Sequence, residues 1–168
     1  MSMRLISVIG GADCDSNVIE LAEKLGEIIA SRGAAVVCGG LGGVMEAVCR
    51  GAKKHNGMTI GILPTLEKEH ANEYVDIAIP TGLGYARNFL VARTGDAVIA
   101  IAGSAGTLSE MAIAWFSDKP LIALASSGGW AGELAGRKLD NRRSDEVFSA
   151  MTPEEAVEIA FRELGWEQ

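Results

Sequence analysis

No apolar stretch in the sequence approaches the roughly eighteen residues that a membrane-crossing helix needs, so no membrane partner is expected. Positive charge is also short. Fifteen Lys and Arg face twenty-two Asp and Glu, for a net charge of −7, whereas a binder of nucleic-acid backbone needs clustered cations to displace counterions. The densest cationic stretch, Arg137-Lys138 with Arg142-Arg143, is interrupted by Asp140 and followed by Asp145 and Glu146. It reads as a solvated loop, and no nucleic-acid partner is expected. The three cysteines, Cys14, Cys38 and Cys49, have no metal-ligand spacing and cannot all pair, a usage that suits a reducing compartment. A strand pattern starts at Arg4, leaving no signal peptide, so the expected location is the cytoplasm. His55 and His70 sit in polar surroundings without ligand spacing, and no metal site is expected. The strict G-x-G-x-x-G fingerprint and the phosphate loop with its Lys-Ser/Thr pair are both missing, which argues against a nicotinamide dehydrogenase or a nucleoside triphosphatase.

Glycine is what the chain has in excess: 21 of 168 residues, with only four prolines. That is roughly 12% where about 7% is usual, and most of it falls in short clusters between apolar runs. Such clusters mark turns that approach something closely. The runs Arg4–Gly10, Ala34–Cys38, Met58–Leu63, Asp96–Ala102 and Pro120–Ala125 read as strands, with a weaker one at Val75–Ile79. Between them, Val18, Leu21, Ala22, Leu25, Ile28 and Ile29 recur at helical spacing behind the capping residues Asp15-Ser16. Val44 to Gly51, Tyr85 to Arg93 and Leu108 to Trp115 trace further helices, and Thr152-Pro153-Glu154-Glu155 opens a last one. Ser126 to Gly136 reads as a glycine-rich loop. Strands that are apolar throughout are buried on both faces. Alternating with helices, they predict one α/β domain over residues 1–168, a Rossmann-like, doubly wound, mostly parallel sheet with helices on both faces. In such sheets ligands bind beyond the carboxyl ends of the strands. Three glycine turns, beginning at Gly10, Gly39 and Gly103, fall at those ends.

The third turn, Gly103-x-x-Gly106-Thr107-x-x-Glu110, runs from the strongest strand into a helix. Glycines let backbone amides close on an anion, and a helix N-terminus adds roughly half a positive charge. Thr107 offers a hydroxyl to the same anion, and Glu110 lies one turn further in. The alternative is a capping box between Thr107 and Glu110. In the second turn, four glycines occupy five positions, Gly39 to Gly43. Each costs backbone entropy, so close approach of a ligand explains them better than a tight turn does.

Together, Gly39-Gly40-Leu41-Gly42-Gly43-Val44-Met45 and Gly103-Ser104-Ala105-Gly106-Thr107-Leu108-Ser109-Glu110 resemble the paired motifs of the LOG (LONELY GUY) family, whose second motif is P-G-G-x-G-T-x-x-E. The resemblance covers nearly the whole chain. It implies a Rossmann-like fold, a homodimer, and cleavage of nucleoside 5′-monophosphates into base and ribose 5-phosphate. Tyr85-Ala86-Arg87-Asn88 and the short length are closer to the molybdenum cofactor carrier branch, which binds a phosphorylated pterin. On this resemblance Glu110 matches the catalytic glutamate and Arg87 its arginine partner. Gly11, Gly40, Gly42, Gly43, Gly103, Ser104, Gly106 and Thr107 fall on the phosphate-cradling turns, and Asn88 sits beside the ligand. Three positions depart from the pattern: Ala102 replaces the proline, Ser104 a glycine, and Asn88 a lysine. Losing that lysine removes a cation, which bears on hydrolysis more than on binding.

The chain therefore reads as a binder of a phosphorylated, nucleotide-like molecule. One form is a carrier, with no required cofactor and molybdopterin as candidate ligand. The other is a phosphoribohydrolase in which Glu110 stabilises positive charge growing on the ribose. Met111, Trp115 and Phe116 put large apolar side chains on more than one side of a helix, which points to a homodimer or higher homo-oligomer. Trp130 could cover a bound ring or bury itself at a subunit contact.

Overall fold

A computed structural model describes residues 2–166. Seven strands form one sheet in the order β4-β3-β2-β1-β5-β6-β7, every neighbouring pair parallel. They are β1 (Leu5–Gly10), β2 (Ala35–Cys38), β3 (Thr59–Leu63), β4 (Ile77–Pro80), β5 (Ala97–Ile101), β6 (Leu121–Leu124) and β7 (Phe148–Ala150). The helices are α1 (Ser16–Ser31), α2 (Val44–Lys53), α3 (Asn88–Thr94), α4 (Ala105–Phe116), α5 (Gly129–Leu134) and α6 (Pro153–Glu163). The doubly wound reading holds, and the sheet is wholly parallel. Strand order runs outward from β1 in one direction and from β5 in the other, so the switch point lies between these two neighbours.

The central strands are buried on both faces because each face carries its own helix layer. On one side Val18, Leu25, Val48 and Phe161, from α1, α2 and α6, pack against Val8, Val36 and Ile99. On the other, Val91, Met111, Trp115 and Ala131, from α3, α4 and α5, pack against Ile9, Val37 and Val98. Local signals start the outer helices as expected. The Asp15 carboxylate accepts the Val18 N–H at 2.9 Å, and the Thr152 hydroxyl accepts the Glu155 N–H at 3.1 Å. Helices α1 and α2 pack so closely that a Cβ on Gly51 would stand 1.9 Å from the Glu23 carbonyl oxygen.

Two expectations are corrected and one strand was not anticipated. Residues 126–136 are not simply loop: a 3-10 turn, Ala125–Ser127, leads into α5. Strand β7 is too short, at three residues, for periodicity to show it. The cationic stretch is only partly solvated. The Arg143 guanidinium donates to the carbonyls of Trp115 and Lys119 at 3.3 and 2.7 Å, pairs with Asp145, and lies 4.6 Å from the Trp115 ring centroid. Asp140 accepts the Trp115 indole N–H at 2.9 Å. This loop closes over Trp115 at the end of α4. Met111 is buried in the core, and of these three side chains only Phe116 stands out, at 46% exposure.

Candidate functional site

A cavity of about 940 Å³ opens at the switch point, beyond the carboxyl ends of β1 and β2 and against the first turns of α4. Its polar side is the start of α4. Ser104 is the N-cap and makes no side-chain capping bond, and Leu108 N–H to Ser104 O is the first backbone bond of the helix. The N–H groups of Ala105, Gly106 and Thr107 precede that bond and have no partner within the helix. Thr107 is the third helical residue rather than the cap, which excludes a capping box with Glu110. Both side chains are instead buried in the cavity wall, at 3% and 7% exposure.

The turn that aims these amides is held under strain from behind. Ala102 has φ of +46°, a region L residues seldom occupy, and Gly103 follows at +94°. Ala102 donates its N–H to the Ser127 hydroxyl at 2.7 Å, and its carbonyl accepts the Ala131 N–H at 3.0 Å. Proline, fixed near φ −65° and without an N–H, could adopt neither feature. The departure from the resembled motif at this position is therefore built into the backbone. Gly129 has a related role, since a Cβ there would lie 2.5 Å from the Ala102 carbonyl carbon. Trp130 is held through its backbone N–H to the Gly103 carbonyl at 3.2 Å, and its half-exposed ring is not among the residues lining the cavity.

Arg87 ends a 3-10 turn, Gly84–Arg87, that runs directly into α3. Its side chain is buried, donating from Nη1 to Asn88 Oδ1 and from Nη2 to the Gly39 carbonyl at 3.4 Å. Gly39 makes that approach possible, because a Cβ there would stand 2.6 Å from Nη2. The Arg87 Nε is buried without a partner among the described residues. Burial pulls the guanidinium below its usual range, against the opposing pull of Glu110 and the Cys38 thiol. Glu110 has neither a hydrogen bond nor an ion pair within 4 Å among the described residues. Burial pushes its carboxyl up to about 8, with Arg87 acting in the opposite direction.

Of the residues singled out from the sequence, Gly11, Arg87, Asn88, Ser104, Gly106, Thr107 and Glu110 line the cavity together. Gly40, Gly42, Gly43 and Gly103 are not in its lining. Gly40 (φ +78°) backs onto Leu63 and Gly61, Gly43 (φ +64°) onto the carbonyls of Gly11 and Ala12, and Gly103 onto the Thr107 side chain. Gly42 has nothing within 4 Å of where a Cβ would sit. The lining also includes Gly39, the start of the second turn, and residues given no site role in the sequence: Leu41, Met45, Phe89, Ser109 and Ile113. Leu41, Met45 and Ser109 stood inside the quoted motifs. The apolar four look like core in any sequence.

Sheet order, switch-point cavity and the paired glycine turns define a Rossmann-like protein of the LOG-like superfamily. The chain belongs to the SLOG cluster4 family, whose model matches residues 3–157. It is similar in structure to the molybdenum cofactor binding protein of the phototrophic bacterium Rippkaea orientalis, with 37% identity and a TM-score of 0.87 over 98% of this chain and 99% of that one. The molybdenum cofactor carrier protein of Chlamydomonas reinhardtii gives 31% identity and a TM-score of 0.83 over 96% and 99%. In sequence it is 33% identical, over 70% of this chain and 67% of the other, to a cytokinin riboside 5′-monophosphate phosphoribohydrolase of Mycobacterium tuberculosis. No helix among the described residues is long and apolar enough to cross a membrane.

Proposed function

We propose that this protein binds a phosphorylated, ring-bearing small molecule and holds it unchanged, as a carrier of the molybdenum-cofactor-carrier type. The observation that carries this reading is how Arg87 is used: it is tied to Asn88 and Gly39 and makes no ion pair with Glu110 among the described residues, the carboxyl that would have to oppose positive charge growing on a ribose as its glycosidic bond breaks. Burial pushes that carboxyl up to about 8, which favours its neutral form. The residues fit a phosphorylated pterin as cargo. The free amides at the start of α4, with Thr107 and Arg87, suit the phosphate. The apolar side chains of Leu41, Met45, Phe89 and Ile113 suit a flat ring.

The hydrolase reading has its own support in the buried carboxyl and in the phosphoribohydrolase relative. The two separate in one experiment. Ligand released from natively purified protein is identified by mass spectrometry, and the protein is incubated with AMP, GMP, CMP and UMP while free base is followed by chromatography. The carrier reading expects a bound phosphorylated pterin and no base from any of the four. Base release abolished by Glu110→Gln would overturn it in favour of the hydrolase.

The protein is proposed to work in the cytoplasm as a homodimer. Tyr85 (91% exposed) and Phe89 at the cavity, with Leu90 on α3 and Phe116 at the end of α4, leave apolar surface that an isolated chain would expose to water. Sedimentation at low micromolar concentration is expected to show a mass well above the 17.6 kDa of one chain. A single species at 17.6 kDa would contradict the dimer.

A further inference from the structure

Asn88, which takes the place of the resembled family's lysine, is one link in a directed hydrogen-bond relay. Its carbonyl oxygen accepts from Arg87 Nη1, which leaves its amide nitrogen to donate to Ser109 Oγ at 3.2 Å. Ser109, its oxygen accepting that hydrogen bond, donates its own hydroxyl hydrogen to the Gly106 carbonyl at 2.6 Å. Each group has one role consistent with the next: the guanidinium only donates, the amide does both, and the hydroxyl passes the direction on to a carbonyl. The relay begins on a buried guanidinium and ends in the first turn of α4, beside the free amides. A second bond, from Nη2 to Gly39, ties the same guanidinium to the turn after β2.

We propose that Ser109 is a positioning residue, whose hydroxyl, through Asn88, fixes the plane of the Arg87 guanidinium against the amide turn of α4. This goes beyond the carrier reading but rests on it for the ligand that Arg87 would meet. Without the hydroxyl, the Asn88 amide loses its acceptor and is free to rotate about its terminal torsion. Its carbonyl oxygen then no longer stays opposite Nη1. The guanidinium keeps one anchor, Gly39, and can turn about it, so a planar fork that should meet a phosphate ready-oriented must be ordered on binding instead. Ser109 is exposed on α4 and lines the cavity, so its removal leaves no buried hole.

The test uses the full chain and two readouts. In nitrogen-15 NMR, the Nη protons of Arg87 are expected to show slow rotation of the guanidinium in the unchanged protein. In Ser109→Ala they should average, and Ser109→Thr, which keeps a hydroxyl, should restore the slow rotation. Titration with 5′-GMP, a phosphate ester used as probe, is expected to give a dissociation constant about fivefold higher for Ser109→Ala, the worth of one neutral hydrogen bond. Ser109→Thr should return it to within twofold of the unchanged protein, and the melting temperatures of all three should agree. Identical Arg87 rotation in Ser109→Ala and the unchanged protein would overturn the proposal whatever the titration shows. Equal affinities with altered rotation would overturn its bearing on binding. Failure of the unchanged protein to bind 5′-GMP, AMP or inorganic phosphate would count against the carrier reading, while the Arg87 rotation still decides the role of Ser109.

Discussion

Glu110→Gln is expected to raise the melting temperature strongly at pH 9 and hardly at all near pH 4. Burial holds the folded-state carboxyl at about 8, against an ordinary value of 4.5. Below 4.5 both the folded and the unfolded chain carry the proton, and the group costs nothing. Between 4.5 and about 8 the unfolded chain releases a proton that the folded chain keeps, so stability falls steadily as pH rises. Above about 8 the folded chain holds a buried carboxylate, and the full cost is present. At 1.36 kcal/mol per pH unit, that cost is up to about 5 kcal/mol, or on the order of 10 °C in a chain of this size. Glutamine has the same shape and no charge, so it removes the penalty while leaving the packing alone. Arg87 and Cys38 are the other ionisable groups that bear on one another at this spot, and both remain in the variant, so the difference between the two proteins isolates Glu110. The check is a pair of thermal melts from pH 4 to pH 9.5. A gap between them that does not widen with pH would show that Glu110 is not held neutral in the fold.

A carboxyl that weakens the fold at neutral and alkaline pH needs a reason other than stability. Its neighbours supply none, since no hydrogen bond or ion pair reaches it among the described residues. Residues that cost stability concentrate where a protein meets its ligand. Glu110 faces a cavity whose other ionisable groups are Arg87 and the phenol of Tyr85, which places the cost where a ligand could return it.

The layered fold was legible because its strands are buried on both faces. Ala97 to Ile101 is apolar at every position, and no half-exposed strand would be. Helices were legible where one stripe faces the core, as in α1, and where Asp15 or Thr152 marks a start. What could not be read depends on partners far away in the chain. Arg87 looks like a surface residue on a helix, and only the carbonyl of Gly39, 48 residues earlier, shows why it is buried. The positive φ of Ala102 is set by Ser127 and Ala131, in a segment that composition alone marks as loop. The glycine turns were located correctly, yet their glycines divide by packing. Gly39 admits a guanidinium, whereas Gly40 and Gly43 admit neighbouring backbone and side chains behind the cavity. Composition cannot separate those uses, because both require the same missing Cβ. How the apolar side chains of α4 are covered was hidden for a similar reason. Trp115 is covered by Arg143 and Asp140, 28 and 25 residues further on.

Arg87→Ala is expected to weaken binding of 5′-GMP, or of whichever phosphate ester the unchanged protein binds best, by about 30- to 100-fold. Arg87 is the only Lys or Arg among the residues lining the cavity, so with it goes the only full positive charge facing a phosphate. A hydrogen bond to a charged group is worth about 1.5–3 kcal/mol, or roughly 10- to 100-fold in affinity. The upper part of that range applies here because the guanidinium is already desolvated and oriented before the ligand arrives. It is buried, two of its nitrogens are anchored to Asn88 and Gly39, and the third, Nε, has no partner among the described residues. Arg87→Lys restores the charge but not the planar fork, so it should recover part of the loss and leave a deficit of about tenfold. Salt provides an independent sign. The affinity of the unchanged protein should fall only modestly between roughly 50 and 500 mM salt, since a buried guanidinium is screened less than an exposed one, and Arg87→Ala should be less sensitive still. Removing the side chain also strands the Gly39 carbonyl and the Asn88 amide, so a melt accompanies each titration to show that the variant is folded at the temperature used. Calorimetric titrations at two salt concentrations give all of these values. Affinity of folded Arg87→Ala within threefold of the unchanged protein would mean that the phosphate is held by the α4 amides alone, and that Arg87 is buried there for the sake of the fold.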